Sequence, residues 1–103
     1  MVMKVVLSQF AREQLREIFN YYLSIAGETV AKRMIGNILS RLETLGKNPL
    51  MGQVEELLKE YAEDYRYLVE GNYKIIYRIA KESVIVESIF DCRQNPVKMT
   101  NFR

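Results

Sequence analysis

"YRYLVEGNYKIIYRI", residues 65–79, decides the fold. Two runs rich in tyrosine, isoleucine and valine flank Glu70-Gly71-Asn72, and aromatic and β-branched residues fit a pleated, half-buried surface. Gly71-Asn72 suits a tight two-residue connection, with glycine at the position that needs a positive φ. The stretch therefore predicts an antiparallel hairpin with strands over 65–70 and 73–80. "KES" then turns the chain into a third strand over 84–90, "VIVESIF". Side chains alternate along a strand, so Arg66 lies opposite Tyr65, Tyr67 and Val69. On the next strand Lys74, Ile76 and Arg78 share one face, and Tyr73, Ile75, Tyr77 and Ile79 the other.

Upstream, "MVMKVVL" (residues 1–7) reads as a short first strand. Ser8 offers a side-chain oxygen to the free amides of a following helix. In that helix Ala11, Leu15, Ile18, Phe19, Tyr22 and Ile25 recur at three- and four-residue steps and make one apolar face. Gly27 is placed to end it in a left-handed cap. A second stripe, Ala31, Met34, Ile35, Ile38, Leu42 and Leu45, follows at once, with Gly46 and Pro49 as its terminators. Two amphipathic helices so closely joined form a helical hairpin. "GKNPLMGQ" is loop by composition, and "VEELLKEYAED" reads equally as a short helix or an irregular crossing segment. The tail "DCRQNPVKMTNFR" reads as loop. The order β-α-α-β-β-β predicts an α+β domain, residues 1–103, with a helical hairpin packed on a mostly antiparallel sheet.

Composition narrows the chemistry. The 103 residues are 49% hydrophobic and 27% charged, as expected of one folded domain. No apolar run approaches the ~20 residues that span a bilayer, and the start lacks the pattern of a secretory signal. A single cysteine, Cys92, rules out an internal disulfide framework and fits a reducing cytoplasm. Histidine is absent, which removes the commonest general base and metal ligand together. Neither a metal site nor a cofactor is expected. The net charge of +2 is too small to drive nonspecific nucleic-acid binding, so no direct DNA binding is expected of this chain alone. The basic excess is split between residues 1–45 and 65–103, with the acidic "EELLKEYAED" between them.

Three groups of residues bear on function. Arg66, Lys74, Arg78 and Arg93 would hold a phosphate or carboxylate if they converged, which requires Arg66 to share a face with Lys74 or Arg78. The plainer reading makes them solvent-facing residues of a half-exposed sheet. Tyr61, Tyr65, Tyr67, Tyr73 and Tyr77 are able to stack bases or form an interface, but most are accounted for by core and cross-strand packing. Cys92 has a cationic neighbour in Arg93 and lacks a histidine base.

With these pieces assembled, the sequence resembles the RelE/ParE superfamily of type II toxin–antitoxin modules, closest to its ParE-like branch. The resemblance rests on "S.FA...L..I..YY", "L..NPLMGQ", "YRYLVEGNYKIIYRI" and "VIVESIFDCRQNP", in the family's order over nearly the whole chain. It implies a microbial-RNase-like α+β fold, neutralisation by a cognate antitoxin, growth inhibition and a role in plasmid stabilisation. ParE-like members poison DNA gyrase by protein–protein contact and lack a catalytic set. RelE-like members instead cut mRNA on the ribosome with a basic cluster and, in many, a C-terminal tyrosine. Here Arg66 and Arg93 match positions shared across the superfamily and are the expected target or phosphate contacts, with Lys74 and Arg78 as supporting charges if the chain is an RNase. The tyrosine is missing, Met99 falls near its expected place, and the segment ahead of the hairpin is acidic. The expectation is a cytoplasmic gyrase-directed toxin, with the ribosome-dependent endoribonuclease as the alternative.

Overall fold

The computed structural model describes residues 2–61 and 63–102. Strand β1 (Lys4–Leu7) leads into α1 (Gln9–Ala26) and α2 (Glu28–Lys47). A two-residue strand β2 (Gln53–Val54) follows, then β3 (Arg66–Glu70), β4 (Tyr73–Ala80) and β5 (Ser83–Asp91). Short 3-10 helices cover Glu56–Leu58 and Pro96–Phe102. The α+β architecture is the one expected, with an extra edge strand in "GKNPLMGQV" and a tail that is helical rather than loop.

Local chemistry explains the joints. Ser8 caps α1: its Oγ accepts the Ala11 N–H at 3.0 Å and donates to the Glu87 carbonyl at 3.0 Å, tying the helix start to β5. A single residue, Gly27, separates the helices. Its N–H donates to the Tyr22 and Leu23 carbonyls, and its own carbonyl accepts from Ala31. Its φ of 92° and ψ of 174° lie outside the left-handed cap region and belong to glycine almost alone. Gly46 does not end α2; it lies in the last turn, where its carbonyl receives the Met3 N–H at 2.8 Å. Gly71 takes φ 59° at the hairpin tip, as its turn requires.

The sheet order is β1-β5-β4-β3-β2, with β1 parallel to β5 and all other neighbours antiparallel. The hairpin helices cover one face. Ala11, Ile18, Ile38, Leu42 and Leu45 pack there on Leu68, Tyr73, Ile75, Tyr77, Val84, Val86 and Ile89. A bulge opposite Ile76 and Tyr77 shifts the register of β5, so that Val86 pairs with Tyr77 and Ile89 with Ile75. That shift keeps Val84, Val86 and Ile89 all on the helix side. Ile25 departs from the expected stripe and is 60% exposed. The second face is not open to solvent as half-exposure would have it. Leu58 from one 3-10 helix and Met99 and Phe102 from the other close over Tyr65, Ile76 and Phe90. Double coverage explains why the adjacent Ile75 and Ile76 are both fully buried. No helix among the described residues is long and apolar enough to cross a membrane.

Candidate functional site

The pairing of β3 with β4 decides whether the four cations meet. Arg66 is opposite Tyr77 and Leu68 opposite Ile75, so Arg66 belongs to the helix-side face. Lys74 and Arg78 alternate with those residues and belong to the other. The faces do not match. Arg93 follows β5 at the end where Tyr73 pairs with Asp91, four residues along β4 from the partner of Arg66.

Each cation has its own anionic partner. Arg66 Nη1 donates to the Gly52 carbonyl at 3.0 Å, with Asp64 at 3.8 Å from Nη2. Lys74 Nζ is 2.8 Å from Oε2 of Glu55, a carboxylate only 3% exposed, and stands 4.3 Å above the Tyr67 ring. Glu55 also accepts the Leu57 N–H, so the acidic segment is tied down through this pair. Arg78 Nε meets Glu87 at 2.9 Å. Arg93 grips Asp91 with Nε at 2.9 Å and Nη2 at 2.8 Å. That fork holds the Asp91 carboxyl below its ordinary range and raises the guanidinium's own pKa.

Around Arg93 lies a cleft of about 420 Å³, lined by Gln14, Glu17, Tyr21, Tyr73 and Phe90 among others. Burial, reinforced by a bond to Tyr22, pushes the Tyr73 hydroxyl well above the usual phenol range. Gln14 turns its Oε1 to the Ile89 N–H at 2.6 Å, occupying the part of β5 that β1 does not reach. Cys92 is exposed, yet loss of hydration pushes its thiol up, outweighing the nearby Lys74. That is opposite to what an activated nucleophile requires.

With strand, helical hairpin, bulged sheet and dispersed cations in place, the sequence matches the family model of the ParE toxin of type II toxin-antitoxin system, parDE, over residues 5–96. The chain belongs to the ParE toxin family. A solved structure of the chromosomal ParDE TA system from P. aeruginosa superposes on it with a TM-score of 0.73 at 16% identity, covering 87% of this chain and 96% of that one. At that identity the likeness is one of fold. No curated protein sequence matches.

Two features of this ParE-family chain were not foreseen in its sequence. The Tyr77 hydroxyl is buried, accepts the Gly52 N–H at 2.9 Å and donates to the Pro49 carbonyl at 2.8 Å. Together with Arg66 it fixes the turn between α2 and β2. Burial raises the Tyr77 pKa, against the opposing pull of the Gly52 amide. The hint was available, because a tyrosine on the core face of a central strand needs a partner for its hydroxyl. Glu55 gave no such hint, since nothing local distinguishes it from the solvated acids that follow it.

Proposed function

We propose that this chain is the toxin of a type II toxin–antitoxin module, that a cognate antitoxin neutralises it, and that it inhibits DNA gyrase by protein–protein contact without chemistry of its own. The observation that carries the reading is the dispersal of the four cations. Lys74 and Arg78 lie on the face opposite Arg66, Arg93 lies at the far end of β4 from Arg66, and each stands within ion-pair distance of a carboxylate of its own. Stabilising a developing charge on a phosphodiester requires several donors aimed at one point, and these four have none in common. The second sheet face, where Met99 falls near the place expected for a RelE-type tyrosine, is filled with hydrocarbon from Leu58, Tyr65, Phe90 and Met99.

The surface offers places for protein partners. Tyr21 and Ile25, one turn apart on α1, are both exposed, an apolar pair suited to an amphipathic helix of the antitoxin. Arg93, with its side chain 49% exposed, and Arg66 are the proposed target contacts. Induced expression in a bacterium lacking the antitoxin gene tests the module: growth stops, and co-expression of the neighbouring reading frame restores it. Normal growth with soluble toxin present would refute the reading. Primer extension on translated messages from the arrested cells is expected to show no antitoxin-sensitive cuts at codon positions.

A further inference from the structure

Among the described residues six cations form no ion pair, in contrast to the four discussed above: Arg16, Arg33, Lys81, Lys98 and the two that line one cleft together, Lys4 and Arg12. Both flank the outer side of β1, which is the last strand of the sheet on its side. The Ser8 N–H points to β5, donating to the Val86 carbonyl at 2.9 Å, so by alternation the main-chain groups of Val5 and Leu7 point away from the sheet. The ends of this outer edge are occupied: Gly46 takes the Met3 N–H, and Arg12 Nε donates to the Leu7 carbonyl at 3.3 Å. Between them lie the N–H and C=O of Val5 and the N–H of Leu7. A cleft of about 390 Å³ runs along this edge, lined by Lys4, Val5, Val6, Leu7 and Arg12.

We propose that the outer edge of β1 accepts an extended, acidic segment of the antitoxin as an added strand. The main-chain groups of Val5 and Leu7 bond to it, and Lys4 and Arg12 hold its carboxylates. The proposal rests on the toxin–antitoxin reading above. Charge selects the occupant. A second copy of β1 would set Lys4 and Arg12 against like charges, which edge strands use to resist self-pairing. A basic segment would be repelled in the same way. The opposite edge, β2, is two residues long and runs into the acidic segment 55–64, so the two sheet edges differ in sign as well as length.

The test uses the full toxin and the product of the neighbouring reading frame, purified separately. Hydrogen exchange is followed on the free toxin and on the complex, and the Val5 and Leu7 amides are expected to become protected. Binding by Lys4→Glu/Arg12→Glu is expected to fall about tenfold at low salt and less at high salt, because exposed charges are screened. Arg33→Glu/Lys98→Glu, which reverses two equally free cations elsewhere, should bind within about threefold of the parent. A complex that forms while both amides exchange as before overturns the β1 proposal and leaves the antitoxin reading standing. Equal loss in the two double variants also overturns it, since only net charge would then matter. Failure of the parent toxin to form any complex removes both readings.

Discussion

At the scale of single residues, Tyr77 does most to join sequence to surface. Its ring fills the core beneath the helices while its hydroxyl serves two backbone groups of the turn at 49–52. Tyr77→Phe keeps the ring and leaves the Gly52 N–H and the Pro49 carbonyl without their partner, at a cost of about 1–3 kcal/mol. Gly52→Ala is expected to cost at least as much, roughly 2–3 kcal/mol. A Cβ there would lie 2.5 Å from the Tyr77 hydroxyl and 2.8 Å from the Tyr67 carbonyl, and the carbonyl cannot move aside. Urea unfolding of both variants measures these costs. The sequence placed Tyr77 correctly on a face with Tyr73 and Ile75, because period-two alternation survives any choice of neighbour. It left open which face Arg66 shares, because that depends on the pairing register across the hairpin. The two-residue turn sets Glu70 opposite Tyr73 and carries Arg66 to the helix side.

At the scale of elements, the helical hairpin was legible and its joint was not. Apolar spacing and Ser8 located α1, and the second stripe located α2. The contraction of the link to Gly27 alone, with a conformation beyond the left-handed region, follows from how the helices pack and has no local signature. Gly27→Ala forces a side chain into that conformation at a cost of about 1–3 kcal/mol, although no atom lies within 4 Å of the added methyl. A fall in thermal midpoint would confirm the cost, while an unchanged midpoint would show that the joint relaxes freely. The tail was misread for a related reason. Proline and asparagine suggest loop, but Met99 and Phe102 find an apolar face to cover, and Phe102 meets Tyr65 edge-on at 5.5 Å. Tertiary burial overrides a weak local preference there, as it does where Glu55 ties the acidic segment to Lys74.

For the whole molecule, the titrating groups predict a broad plateau of stability. There is no histidine, so no such group titrates between about pH 5 and 8. Asp91 has its folded pKa lowered by Arg93; its contribution is complete above the unfolded value of about 3.9 and is lost as pH falls through the folded value. Tyr73 and Tyr77 have theirs raised, so their contribution holds below the ordinary phenol pKa of about 10 and is lost as pH rises towards the folded value. Thermal midpoints should therefore be level from about pH 5 to 8 and decline below about 4 and above about 10. A midpoint that drifts across neutral pH would show that another group controls stability. The same stable scaffold, with Arg66, Lys74, Arg78 and Arg93 each paired and its second face filled, underlies the claim that the toxin acts through the surface it presents. Gyrase supercoiling, run beside translation-coupled mRNA cleavage on one preparation of purified toxin, tests that claim most directly. Supercoiling is expected to stop and to return when antitoxin is added, with the message intact; cut message with supercoiling untouched would overturn the gyrase reading.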